Sequence, residues 1–136
     1  MNAFEVIKIG SNLLKENKIP THILDSEILL SNILGRSREQ ILVNLDQKIS
    51  DKNVLIFKEY CKRRSKNEPI AYITGEKEFW SKKFYLSKDT LIPRPETELI
   101  VDKISNLFFG KEISILDIGT GSGCIILSLL KNLKKS

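Results

Sequence analysis

Cysteine and histidine are scarce in this chain of 136 residues, which holds two cysteines and a single histidine. Cys61 and Cys124 lie far apart in the sequence, so they do not form a disulfide framework, and no cysteine and histidine set has the spacing of a metal site. This pattern suits a reducing compartment, and we expect a cytoplasmic location. No basic-then-apolar leader opens the chain, and no apolar run approaches the roughly 20 residues of a membrane-spanning helix. The sequence therefore predicts no metal site, no disulfide and no membrane contact.

A strong charge of one sign is also lacking. The chain has 22 basic and 17 acidic residues, which gives a net charge of +5. This small excess is spread along the chain, whereas nucleic-acid binding usually requires a basic patch or stripe. Nucleic acid is therefore not the expected substrate. The apolar fraction of 41% and the charged fraction of 29% are typical of an ordinary globular protein.

Apolar residues at helical spacing dominate the first 75 residues. The pattern predicts a helix over Phe4–Leu14, a second that Thr21 or Asp25 begins and Gly35 ends, a short third after Ser37, and a fourth capped by Ser50 and Asp51. The predicted apolar faces contain Phe4, Val6, Ile7, Ile9, Leu13, Leu14, Ile23, Leu24, Ile28, Leu29, Ile33, Leu34, Ile41, Leu42, Val54, Leu55, Phe57, Tyr60 and Cys61. The basic residues Lys62, Arg63, Arg64 and Lys66 are expected to form a solvated helix end. His22 is assigned no role.

The pattern changes after about residue 75. The sequence predicts two short strands, Phe79-Trp80 and Phe84-Tyr85-Leu86, which flank a turn at Lys82-Lys83. The aromatic residues of both strands are expected to pack the hairpin. An extended segment with two prolines, a helix over Glu96–Phe109, a strand over Ile113–Ile118 and a helix over Cys124–Leu133 follow. We therefore predict an α+β fold: an all-helical domain (1–75), a β-hairpin linker (76–92) and the beginning of an α/β domain (93–136).

The most informative local motif is LDIGTGSG, Leu116 to Gly123. Glycines at the end of a strand let the backbone approach a ligand, and the following helix offers free N–H groups. The GxGxG spacing departs from the dinucleotide fingerprint, which places a glycine three residues after its second, and no GKS or GKT follows. The motif resembles the first motif of S-adenosylmethionine-dependent methyltransferases. That resemblance implies a cofactor site made by Asp117, Gly119, Thr120, Gly121, Ser122 and Gly123. A tight strand-to-helix turn without a ligand is the alternative.

A longer segment, EPIAYITGEKEFWSKKFYLSKDTLIPRPETE (Glu68 to Glu98), is similar along its whole length to the release-factor glutamine methyltransferase family. The resemblance extends over nearly all of the chain. It implies that residues 93–136 begin a Rossmann-like methyltransferase domain. It also implies methyl transfer from S-adenosylmethionine to the glutamine of the Gly-Gly-Gln tripeptide of peptide chain release factors, in support of translation termination.

The Arg-Pro-x-Thr-Glu element adds Arg94, Pro95, Thr97 and Glu98 to the candidate cofactor site. Considered without the family, the same residues form a stiff connector followed by a helix start with acids at its positive end. The family places amide-holding acceptors in an Asn-Pro-Pro-Tyr motif, which this sequence lacks. We therefore assign no catalytic residue, and we expect the chain alone to be inactive. Two alternatives stay open: a DNA or RNA methyltransferase, and a non-catalytic fragment that binds a partner.

Overall fold

The computed structural model describes residues 1–133, which divide into two units at the Thr74–Gly75 junction. The first unit is helical, as its apolar spacing predicts. Its helices are α1 (Ala3–Glu16), α2 (His22–Leu34), α3 (Arg38–Leu42), α4 (Asp51–Ser65) and α5 (Ile70–Thr74). The short helix α5 has no counterpart in the sequence prediction. The three-part domain division stays a prediction.

Polar side chains fix where these helices begin. Asn2 and Glu5 form a reciprocal capping box at α1, Ser37 and Gln40 do the same at α3, and the Ser50 hydroxyl accepts from the Asn53 N–H at α4. Gly35 ends α2 with a φ of 62°, a left-handed conformation that glycine adopts without strain. The caps predicted at Ser37, Ser50 and Gly35 are thus confirmed. Thr21 precedes α2 without a side-chain capping bond.

The core of the first unit lies where α1 packs against α2 and α4. On α1 the buried residues include Ala3, Gly10 and Ser11, whose small side chains allow close approach. A β-carbon added to Gly10 would lie only 2.5 Å from Cζ of Phe57. Val6, Ile7 and Leu14, which the sequence placed on the apolar face of α1, are buried as well. Six residues predicted to be buried are exposed instead: Phe4, Ile9, Ile23, Leu24, Leu42 and Leu55.

The basic end of α4 is only partly the solvated helix end that the sequence suggested, because Lys62 and Lys66 are exposed whereas Arg63 and Arg64 are partly buried. Nε of Arg64 donates to the buried Asp25 carboxylate at 2.7 Å, and its Nη1 donates to the Glu68 carbonyl at 3.2 Å. Arg63 makes a two-pronged pair with the Glu68 carboxylate, which raises the pKa of its guanidinium, and donates to the Tyr72 and Ile73 carbonyls. These two arginines therefore tie α4 to α2 and α5. Asp25 lies inside the first turn of α2 and is not its cap.

The second unit opens with an antiparallel hairpin of β1 (Glu76–Phe79) and β2 (Lys82–Tyr85). The turn is at Trp80 and Ser81, whose φ values of 52° and 54° match a type I′ turn. The predicted turn at Lys82-Lys83 is wrong, because Lys82 pairs with Phe79 and the Lys83 ammonium contacts the Glu76 carboxylate at 3.0 Å. The Phe79 and Phe84 rings pack edge to face, whereas Tyr85 is exposed.

A 3-10 turn (Pro95–Thr97), α6 (Glu98–Leu107) and α7 (Cys124–Leu133) complete the described part of this unit. Its core joins Phe79 and Phe84 to Val101, Cys124 and Leu129. The strand predicted over residues 113–118 does not form, and Leu116 and Ile118 are more than four-fifths exposed. A strand needs a hydrogen-bonding neighbour, and residues 1–133 supply none for this segment. The α+β class is confirmed, and the Rossmann-like start stays a prediction. No helix in this range is long and apolar enough to span a bilayer.

Candidate functional site

The glycine loop of residues 117–123 lies between a segment without regular secondary structure and α7. Gly119, Gly121 and Gly123 have φ values of 78°, 57° and 75°. Other residues are strained at such angles because their β-carbon crowds the backbone. The alternating glycines are therefore required by the backbone path of this loop, whether or not a ligand is bound.

The space beside two of these glycines is open. A β-carbon built on Gly119 has no heavy atom within 4 Å, and one built on Gly121 meets only the Gly119 carbonyl oxygen, at 3.9 Å. Gly123 differs, because a β-carbon there would lie 3.3 Å from Cδ1 of Leu127 on α7. Gly119 and Gly121 therefore border room for a ligand, while Gly123 allows the loop to pack against the helix.

Asp117 offers a hydrogen-bond acceptor beside this space. Its Oδ2 atom is buried and has no hydrogen-bond partner within residues 1–133. The loop itself uses the Asp117 backbone, because the Thr120 hydroxyl donates to the Asp117 carbonyl at 2.9 Å. A buried acceptor that lacks a donor is unfavourable until a donor reaches it. The residues present therefore fit a ligand that carries a hydroxyl or ammonium group.

The loop continues directly into α7. The Gly123 N–H donates to the Thr120 carbonyl at 2.9 Å, and the Leu127 N–H donates to the Gly123 carbonyl at 3.0 Å. Ser122, which precedes Gly123, is half-buried. The N-terminal N–H groups of a helix have no partner within the helix, so the loop ends in further donors.

The four residues added by the Arg-Pro-x-Thr-Glu element have other surroundings. Arg94 and Pro95 are exposed at the start of the 3-10 turn, and the Thr97 N–H donates to the Arg94 carbonyl at 3.0 Å. Glu98 is the exception, because its Oε1 accepts from the Trp80 N–H at 2.7 Å. Within residues 1–133 no hydrogen bond or ion pair links these four residues to the glycine loop. The sequence did not indicate the contact between Glu98 and Trp80, because it joins residues 18 positions apart.

Groups suited to other chemistry are few. No cluster of three metal-ligating side chains occurs in the part of the chain that the structure describes. The Ser11 hydroxyl lies 2.8 Å from Nδ1 of His22, but Ser11 is buried on α1. Burial raises the pKa of the Cys61 thiol to about 12, so this group is protonated near neutral pH. The glycine loop is therefore the strongest candidate site.

Comparison with known proteins adds to this geometry. A family model described as the PrmC N-terminal domain matches residues 5–75. A release factor glutamine methyltransferase of Leptospira interrogans is 40% identical over 126 residues, which cover 91% of this chain and 44% of that protein. A release factor glutamine methyltransferase of Haemophilus influenzae is 43% identical over 129 residues, which cover 90% of this chain and 44% of that protein. A bifunctional methyltransferase of Rickettsia conorii is 34% identical over 151 residues, which cover 93% of this chain and 29% of that protein. The chain thus spans less than half the length of these relatives.

Proposed function

The chain belongs to the release factor glutamine methyltransferase family, whose N-terminal domain it carries, and from this membership we propose that it forms the N-terminal part of an enzyme that methylates release factors. The proposed reaction transfers a methyl group to the side-chain amide of the glutamine in the Gly-Gly-Gln tripeptide. The observation that carries the proposal is the identity of at least 40% to two such enzymes over nine-tenths of the chain. A match of that coverage extends over both units.

We propose that the glycine loop holds S-adenosylmethionine, which supplies an activated methyl group when bound. The candidate ligands are Asp117, Gly119, Thr120, Gly121, Ser122 and Gly123. Support comes from the unpartnered Oδ2 of Asp117, an acceptor for a hydroxyl or ammonium donor, and from the open space beside Gly119 and Gly121. Arg94, Pro95, Thr97 and Glu98 remain a weaker part of the proposed site, since the Glu98 carboxylate is already engaged with the hairpin turn.

The amide of the substrate sets the second requirement of this reaction. An amide nitrogen is a poor nucleophile, so it must be aligned with the methyl group and its hydrogens must be held by acceptors as charge develops. The family resemblance assigns these acceptors to an Asn-Pro-Pro-Tyr motif, and this sequence has no such motif. We therefore propose that the 136-residue chain contributes cofactor and substrate binding and transfers no methyl group by itself.

We propose that the helical unit, Met1–Thr74, recognises the release factor. This unit has its own core and offers exposed apolar side chains such as Val43 and Leu55. Its mild positive charge would help to steer a partner. Removing this unit from an active enzyme should weaken the affinity for the release factor. An unchanged affinity would show that recognition lies elsewhere.

A chimeric enzyme tests the proposed reaction. This chain is joined to the part of the Haemophilus influenzae relative that follows its matched region. The fusion is then incubated with labelled S-adenosylmethionine, a release factor, RNA and DNA. We expect label on the release factor, at its Gly-Gly-Gln glutamine. Label on nucleic acid alone would favour the alternative substrate class, and the absence of any transfer would contradict the proposal.

A matched pair of glycine variants tests the cofactor site in the same fusion. Gly121→Val places a branched side chain in the open space at a φ of 57°, and Gly110→Val imposes the same change at a φ of 70° away from the loop. Because backbone strain is similar at both positions, only the loss of ligand space differs. We expect S-adenosylmethionine affinity to fall by about tenfold or more in Gly121→Val alone. Equal affinities by calorimetry would reject the loop as the site.

A further inference from the structure

A cavity lies at the tip of the hairpin, and Glu98 is the one residue that it shares with the proposed cofactor site. Its volume is about 420 Å³, within the range of small-ligand sites. The hairpin turn, the start of α6 and the last turn of α7 build its walls. The lining residues are Trp80, Ser81, Lys82, Glu98, Lys131 and Asn132. All of them belong to the second unit.

Lys82 is the unusual member of this set. Its Nζ atom is shielded from solvent, and within residues 1–133 no hydrogen bond or ion pair reaches it. Burial lowers the pKa of this ammonium, and the nearby charge of Lys131 lowers it further. A desolvated cation beside a second cation is unfavourable unless an anion compensates both. The cavity therefore carries an unmet requirement for negative charge.

The acid in the cavity does not meet this requirement. Oε1 of Glu98 accepts from the Trp80 N–H at 2.7 Å, and the Glu98 carboxylate forms no ion pair with Lys82. Glu98 instead stabilises a turn in which Trp80 and Ser81 both have positive φ. Positive φ at both central residues is the ordinary geometry of a type I′ hairpin turn. The turn is thereby fixed with the Trp80 side chain lining the cavity.

We propose that this cavity binds an oxyanion, either a phosphate or a carboxylate group. Lys82 provides the buried positive charge, Lys131 adds a second charge at the rim, and Trp80 offers an apolar surface to the rest of the ligand. The volume exceeds that of a single oxyanion, so the group is carried by a small molecule or by a side chain of a bound peptide. The inference does not depend on the proposed methyl transfer.

Trp80 makes the test direct, because it is the only tryptophan in the chain. The 136-residue chain is titrated with inorganic phosphate and, separately, with glutarate, at constant ionic strength set with sodium chloride. We expect a saturable change in tryptophan fluorescence with at least one of the two anions. The anion that saturates at lower concentration identifies phosphate or carboxylate as the preferred group. A response no larger than that to chloride, for both anions, would overturn the proposal.

Three charge-removing variants locate the effect. Lys82→Gln and Lys131→Gln should each weaken binding by about tenfold or more, since each removes a charged contact. Lys83→Gln is the matched control, because Lys83 lies on the same strand but contacts Glu76 and does not line the cavity. Should Lys82→Gln unfold by circular dichroism, the exposed Lys131 still supplies the comparison. Equal affinities of Lys131→Gln and Lys83→Gln, or of Lys82→Gln and the parent, would refute the site.

Discussion

Replacing Arg64 by methionine should strongly destabilise the helical unit. The Arg64 and Asp25 side chains are 18% and 6% exposed, and their atoms meet at 2.7 Å. Methionine keeps most of the apolar stem but leaves the Asp25 carboxylate buried without its partner. Removing one member of a buried pair costs about 3–5 kcal/mol, and the partial exposure of Arg64 places the expected loss near the lower value, about 3 kcal/mol.

Chemical denaturation followed by far-ultraviolet circular dichroism measures this loss, because the only tryptophan lies in the other unit. Lys58→Met is the control, since Lys58 is an exposed residue on the same helix and its replacement should change stability by no more than about 0.5 kcal/mol. Asp25→Asn combined with Arg64→Met should cost about 1–3 kcal/mol less than the sum of the single changes. If Arg64→Met costs no more than Lys58→Met, the pair does not stabilise the unit.

Three further predictions concern single buried groups. Gly10→Ala should destabilise the helical unit by about 1–3 kcal/mol in a denaturant titration, because the new methyl group would lie 2.5 Å from Phe57. An unchanged denaturation midpoint would mean that the core relaxes freely around the methyl group. Ser128→Ala should raise the stability of the second unit by roughly 1 kcal/mol, because the buried Ser128 hydroxyl has no hydrogen-bond partner within residues 1–133. Denaturation followed by tryptophan fluorescence measures this change, and a loss of stability would indicate a hydrogen bond to this hydroxyl. The pKa of Cys61 is raised from 9.0 to about 12, so the stability that the protonated thiol provides is complete below pH 9 and is lost as the pH rises toward 12, by at most about 1.4 kcal/mol per pH unit. Between pH 9 and 12 the melting temperature should therefore fall less steeply in Cys61→Ala than in the parent chain. Parallel pH profiles of the two proteins would contradict this prediction.

Local signals in the sequence predicted the helical elements well. Ser37 and Ser50 cap helices as expected, and α7 spans Cys124–Leu133 as predicted. Such caps depend on residues three positions apart, and helical periodicity depends on residues one turn apart. Both signals are visible without any knowledge of the tertiary fold.

Features that depend on distant partners were missed. The bond between Arg64 and Asp25 joins residues 39 positions apart, so the sequence gave no sign that Arg64 is partly buried. Leu55 was placed in the core because apolar spacing alone does not show which face of a helix has a neighbour. The segment 113–118 has strand-like composition, but a strand also requires a hydrogen-bonding partner.

At the candidate site, too, local features were predicted and contacts between distant residues were missed. The glycine spacing indicated a loop whose backbone needs left-handed residues, and Gly119, Gly121 and Gly123 adopt such angles. The sequence could not show that Glu98 holds the Trp80 N–H, or that Lys82 is buried without a partner. These contacts arise only when the hairpin, α6 and α7 come together.

The start of the chain is joined to a segment that follows much later. Residues 1–4 exchange backbone hydrogen bonds with residues 45–49. The Ala3 N–H donates to the Gln47 carbonyl at 3.0 Å, and the Ile49 N–H donates to the Met1 carbonyl at 2.9 Å. During synthesis the first residues leave the ribosome about forty residues before these partners. The beginning of α1 therefore stays unanchored until residues 45–49 have left the ribosome. A translational pause before these residues emerge would prolong the exposure of this end, whereas a pause after they emerge would allow it to close.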